Sequence, residues 1–239
     1  MNRCYSKCKA VFVGMSVVLF SGITTLKAQE VVDEAQLQMY FGLGSGTIRL
    51  GTLNETVKGA GYSGFSQKPF MFEMGTHFVI QQLVLDGGVG TLLWKRLSVD
   101  NNRASLFGGY THLSLGVNFV LPGEAWQLYP FFTLGVGVYR YSLSQVYEFN
   151  QSSVKTTERR SNTYWMPTFI TGTGGALYYT SYNADKTRAF TIGVRGGVLM
   201  DPTRQSTWYK NGSKYRNGPS PQFAGPYVQF VIANGRYFK

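Results

Sequence analysis

The chain has 239 residues, with 23 Lys and Arg against 12 Asp and Glu for a formal net charge of +11, and it carries 29 glycines. Its two cysteines, Cys4 and Cys8, both precede an apolar stretch near the start, which excludes a disulfide framework or a thiolate metal site from the body of the chain. A basic balance can signal nucleic acid, but an export signal at the N-terminus argues against that partner.

Residues 1–28 read as a signal peptide. Arg3, Lys7 and Lys9 form a basic n-region, Val11 to Ile23 an apolar h-region, and Ala28 before Gln29 a cleavage point. The apolar stretch is shorter than the ~20 residues of a spanning helix. Neither cysteine stands at the cleavage point, where a lipoprotein would carry it. Removing the leader takes away Arg3, Lys7, Lys9 and Lys27 and leaves residues 29–239 still basic, long enough for one large β domain.

Val31 to Gln36 has the composition of a helical turn too short to stand alone, and no other helical period stands out. Strands are expected at Gln38–Leu50, Phe70–Ile80, Gly88–Leu97, Phe107–Leu121, Phe131–Ser142, Thr163–Thr180, Arg188–Met200 and Ala224–Phe238. Their side chains alternate between two environments. In the second, Phe72, Met74, Thr76, Phe78 and Ile80 oppose Glu73, Gly75 and His77. In the fourth, Thr111, Leu113, Leu115, Val117, Phe119 and Leu121 oppose Tyr110, His112, Ser114, Gly116 and Asn118. In the fifth, Phe132, Leu134, Val136 and Val138 oppose Thr133, Gly135, Gly137 and Tyr139. In the seventh, Phe190, Ile192, Val194 and Val198 oppose Thr191, Gly193, Arg195 and Gly197.

One face is apolar and the other polar and glycine-rich. A soluble barrel would turn the large apolar residues inward and leave voids beside the small ones. An outer-membrane barrel turns them to lipid and needs a slim polar lining. The fold expected is therefore all-β, an eight-stranded antiparallel up-and-down transmembrane barrel. The links Gly51–Pro69, Gln145–Asn162 and Asp201–Gln222 are long and polar, whereas Pro122–Leu128 and Ser181–Thr187 are short. Long loops outside and short turns in the periplasm follow if both termini are periplasmic. The segment Gln81–Asn102 is poorly punctuated and leaves ten strands as an alternative. Tyr40, Phe41, Tyr129, Phe131, Tyr141, Tyr164, Trp165, Tyr178, Tyr179, Tyr227 and Tyr237 fall near expected strand ends and are read as interfacial girdles.

The basic residues Lys155, Arg159, Arg160, Arg204, Lys210, Lys214 and Arg216 cluster in expected loops, as solvated charge or as partners for lipopolysaccharide phosphate and carboxylate. His77 and His112 sit on different strands without paired metal-ligand spacing. Gly42–Gly46 and Gly135–Gly137 lie inside strands, so they are not phosphate loops. Glu73, His77, His112, Arg195 and Arg140 are expected to face inward. Buried charges must be paired, so a network centred on Glu73 and Arg195 is expected.

The segment Pro122-Gly-Glu-Ala-Trp-Gln-Leu-Tyr-Pro130 leading into Phe131-Phe-Thr-Leu-Gly-Val-Gly-Val-Tyr139 resembles the periplasmic turn and following strand of small outer-membrane β-barrel proteins of the Bacteroidota, the OmpA-like and PorT-like barrels. Ala28-Gln29 looks like signal cleavage in that phylum. Val228, Phe230, Ile232 and Phe238 fit the alternating end of such barrels, while Asn234 and Arg236 interrupt it and Lys239 follows the aromatic. The resemblance implies a protein integral to the outer membrane, in contact with lipid and lipopolysaccharide and with the barrel-assembly machinery during biogenesis. It implies a non-enzymatic structural or surface-interaction role with a closed interior. Its PorT-like side implies an accessory of a protein-secretion or envelope-assembly machine that docks periplasmic partners.

His112, Ser114 and Glu124 also resemble the His-x-Ser pair and downstream Glu of lipid A deacylase barrels. Leu115 stands where that motif has Asn, Glu124 falls in the periplasmic turn, and both motif side chains face the interior. No catalytic, cofactor or metal residue is therefore assigned.

Overall fold

A computed structural model describes residues 35–121, 125–151, 154–185, 187–203 and 206–238; the leader, the cleavage point and the tripeptide Pro122–Glu124 lie outside them, as do the side chains of 146–151, 154–159 and Tyr237. Eight strands form the wall: β1 (Ala35–Arg49), β2 (Phe70–Ile80), β3 (Leu83–Leu93), β5 (Asn102–Val117), β7 (Trp126–Gln151), β8 (Val154–Tyr182), β9 (Arg188–Met200) and β12 (Gln222–Phe238). Among the described residues four short strands, β4 (Leu97–Val99), β6 (Phe119–Val120), β10 (Trp208–Lys210) and β11 (Ser213–Tyr215), and one helix, α1 (Gly51–Gly59), belong to the links.

Each wall strand pairs antiparallel with its sequence neighbour, and β1 pairs with β12 from Ala35↔Phe238 to Arg49↔Gln222. That last pairing closes the sheet on itself. Eight strands, not ten, complete the barrel, and closure removes the free edges an open sheet would expose.

Both described ends of the chain lie at one rim, with the β2–β3 turn, the β5–β7 link and the β8–β9 turn. Long segments rise from the other rim, in the order the link lengths indicate. Within them the sequence reading needs correction. Residues 51–59 of the supposed loop Gly51–Pro69 form α1, because Leu53 and Val57, one turn apart, find a hydrophobic seat. Both are fully buried, in one cluster with Leu50, Tyr62, Phe65, Trp208 and Phe223 over the far end of the barrel. Asn54 ties the loop back by accepting from the Phe65 amide at 2.7 Å and donating to its carbonyl at 2.8 Å.

The segment Gln145–Asn162 is not a loop either. β7 and β8 continue in register to Gln151↔Val154, so the longest hairpin extends past the end of β5. Polar strands read as loops when propensity alone is counted, but a continuing antiparallel ladder satisfies their backbone groups. Ala35 and Gln36, read as part of a helical turn, are the first residues of β1.

Alternation runs as expected along the walls. Leu113, Leu115 and Val117 point out while His112, Ser114 and Gly116 point in, and Leu37, Met39, Phe41 and Leu43 mark the outer face of β1. On β5 the outer face runs from Phe107 to Val117, ten steps of ~3.3 Å, which at a tilt of ~40° makes an apolar band of about 25 Å. That is the height of an outer-membrane barrel's lipid-facing band.

The girdle expectation holds only in part. Phe41, Trp165 and Tyr179 are exposed outside, but Tyr40, Tyr129, Phe131, Tyr178 and Tyr227 are buried in the interior. Tyr141 and Tyr164 stack on each other at 6.3 Å beyond the belt. A phenol ring fills the lumen while its hydroxyl meets a polar partner there. Sequence position near a strand end does not say which face a ring occupies; parity along the strand does.

Candidate functional site

The lumen at mid-height holds a cluster of charged and hydroxyl side chains contributed by most of the wall. Glu73 and His77 come from β2, Asp86 from β3, Tyr110, His112 and Ser114 from β5, Thr133 from β7, Arg195 from β9, Gln229 from β12 and Tyr40 from β1. All are buried. Register explains the assembly: His77, Asp86, Ser114 and Thr133 are successive cross-strand partners, so their side chains form a row across four strands.

Arg195 is the hub. Nη1 donates to Glu73 Oε1 at 3.3 Å and stands 4.0 Å from Asp86 Oδ2, and Nη2 donates to Ser114 Oγ at 3.0 Å. Its guanidinium also lies 4.6 Å from the centre of the Phe131 ring. Glu73 accepts from Tyr40 at 2.8 Å, Tyr110 at 2.7 Å and Gln229 at 3.2 Å, while His112 Nε2 sits 3.7 Å from its Oε1. Asp86 is bonded to His77 Nδ1 and accepts from Tyr129 at 3.2 Å. A carboxylate with this many donors is compensated for its loss of water.

Interior glycines make room for this network. Tyr110, Gly90 and Glu73 are register partners on three adjacent strands, and the Tyr110 ring lies across Gly90 to reach Glu73. A Cβ on Gly90 would stand 2.2 Å from Tyr110 Cζ. Tyr40 does the same over Gly75, its register partner, and ends near Gly88, where a Cβ would meet its hydroxyl at 2.6 Å. These glycines are slots for tyrosine rings.

The sequence expectation for Glu73, His77, His112 and Arg195 is met, with the Glu73–Arg195 pair at its centre. Arg140 is a correction. It is exposed on the outer face of β7, with its guanidinium 5.6 Å from the Trp165 ring. Its even position in β7 shares the outward parity of Phe132, Leu134 and Val136. Asp86 was missed because the third strand was begun at Gly88, five residues late. The turn before it, Gln81–Gln82, carries no Gly or Asn to mark it, although Gln81 takes the left-handed φ of 54°.

The two described members of the deacylase-like trio turn to other partners. Ser114 Oγ is held by Thr133 at 2.7 Å and by Arg195, and His112 Nε2 faces Tyr40 and Glu73. Glu124 lies outside the described residues. Among the described residues no group of three or more potential metal ligands occurs.

The register and the two-faced wall define a closed eight-stranded antiparallel up-and-down barrel with an ionic, side-chain-filled lumen. No family model matches the chain, and no curated protein matches it. Among solved structures it is similar to Ail, the attachment invasion locus protein of Yersinia pestis, at 12% identity and TM-score 0.38 over 86% of this chain and 99% of that one. It is similar to Neisserial surface protein A at 9% identity and TM-score 0.41 over 87% and 98%. The N-terminal β-barrel domain of Pseudomonas aeruginosa OprF follows at 12% and 0.30, over 86% and 98%. Such distant likenesses say nothing of this chain's activity, and the barrel rests on its own closing register.

Proposed function

We propose that the protein is a non-enzymatic, integral outer-membrane barrel with a closed lumen, whose long far-side segments serve in surface interaction. The observation that carries this reading is the reversal of polarity across the wall. Large apolar side chains are exposed at alternate positions on all eight strands, while Glu73, Asp86 and Arg195 are sealed inside. In water such a surface would be one apolar patch far larger than monomers tolerate; in lipid it is the expected exterior. Eight strands leave a lumen just wide enough for side chains, and Arg195 with its partners spans it. The leader at 1–28 is proposed to be cleaved after export.

Planar-bilayer recording tests the closed lumen. The purified protein is expected to give no stable porin-sized steps, and regular large openings would overturn the reading. Crosslinking and pull-down from native membranes test the role: a surface protein comes out alone, whereas a stoichiometric periplasmic partner would point to an accessory of secretion or envelope assembly.

A further inference from the structure

The outer face of the wall ends in cations on one side. Followed along their outward positions toward the far rim, β1 ends at Arg49, β2 leads back to Lys68, β3 leads on to Lys95, β5 begins at Arg103 and β7 reaches Arg140. All five are exposed; Arg49, Arg103 and Arg140 stand on β1, β5 and β7, and Lys68 and Lys95 stand two residues beyond the ends of β2 and β3, which lie between β1 and β5 in the wall. Among the described residues none of them, nor Arg96, has a carboxylate within ion-pair distance. Among the described residues the opposite rim shows no such arc: the exposed outward cations there on β9 and β12 are Arg188 and Arg236, which face each other in register.

The arc has a seat. Leu93, Phe107, Arg140 and Trp165 are successive register partners across β3, β5, β7 and β8. Beside them a groove of about 430 Å³ opens between Leu93, Trp94, Phe107, Arg96 and Arg140. Leu93 and Phe107 belong to the top of the apolar band, so the groove joins that belt to Ser105 and to two exposed arginines, Arg140 standing in the same cross-strand row. A water-soluble anion would have no use for that belt, and a neutral lipid none for the arginines. Guanidinium groups bind phosphate bidentately, with planar geometry that suits paired oxygens.

We infer that the Leu93–Phe107 groove between Arg96 and Arg140 binds a phosphate-bearing, acylated glycolipid of the outer leaflet, with acyl chains along Leu93 and Phe107 and phosphate on the two arginines. Lys95 and Arg103 flank the seat and raise the local anion concentration. The site rests on the membrane-barrel reading, because only a lipid-embedded wall brings such a molecule to that height.

Native mass spectrometry of the full chain in detergent, with bisphosphorylated lipid A and its dephosphorylated form as probes, tests the site. Wild type is expected to prefer the phosphorylated form by about tenfold or more, as charge-assisted bonds to two arginines imply. R96Q/R140Q is expected to lose that preference, and R188Q/R236Q on the opposite rim to keep it. Equal binding of both probes by wild type, or retention of the preference in R96Q/R140Q, overturns the inference. Heat-modifiable migration is read on the same samples. If wild type lacks it, the membrane-barrel reading fails and the site falls with it; if migration is intact and the preference absent, the site alone fails.

Discussion

Arg195→Met is expected to lower the temperature at which the folded band converts to the unfolded one by more than any other single substitution in the lumen. Removing the guanidinium leaves Glu73 without its cation and takes away the positive charge 4.0 Å from Asp86, both carboxylates being buried. Breaking one partner of a buried pair costs ~3–5 kcal/mol, mainly because the remaining charge stays uncompensated. Glu73→Leu is expected to destabilise as well, since it strands the hydroxyls of Tyr40 and Tyr110 and the amide of Gln229. The double variant E73L/R195M should be less impaired than the two losses added together, because the pair is then removed rather than broken. Unchanged migration temperatures in both single variants would show the network to be structurally unimportant.

Gly90→Val is expected to prevent the barrel from reaching its compact, fast-migrating form. Its Cβ would occupy space 2.2 Å from Tyr110 Cζ, and displacing that ring also removes the 2.7 Å bond to Glu73. Overpacking of this kind costs ~1–3 kcal/mol, and a lost hydrogen bond to a charged group adds ~1.5–3 kcal/mol. The steric cause has its own check. Tyr110→Ala vacates the slot, so G90V/Y110A should fold better than G90V alone. If the second substitution only worsens folding, the collision with Tyr110 is not the reason Gly90 is required.

The architecture was legible because parity along a strand is a strong signal when one face is lipid and the other a crowded lumen. Alternation in Phe70–Ile80, Phe107–Leu121 and Arg188–Met200 was enough to place Glu73, His112 and Arg195 together in the lumen, which antiparallel neighbours and closure then bring into contact. Parity was also where the reading failed when it was set aside. Arg140 and the buried tyrosines were assigned by residue type or by nearness to a strand end, and their positions within β1, β7, β8 and β12 would have sorted them correctly. Asp86 was hidden by a turn of two glutamines, in which Gln81 adopts a left-handed conformation without the residue that usually announces it. Helix α1 was invisible for a different reason. Its nine residues carry a weak period and no side-chain cap, and it forms because Leu53 and Val57 dock into the far-end cluster. The arginine groove is legible only in the folded wall, since Arg96 and Arg140 are distant in sequence and Arg96 lies between β3 and β4.

The reversed polarity of the wall is tested most directly by quenching of tryptophan fluorescence with brominated lipids. In reconstituted protein with its other tryptophans replaced by Phe, Trp126 near the terminal rim and Leu134→Trp within the apolar stretch of β7 report two depths of the outer face, where both positions are exposed. Leu134→Trp is expected to be quenched best by bromine deep in the acyl chains, and Trp126 best by bromine close to the headgroups. Absence of quenching at both depths, with a folded barrel still migrating as one, would contradict a wall whose apolar face meets lipid.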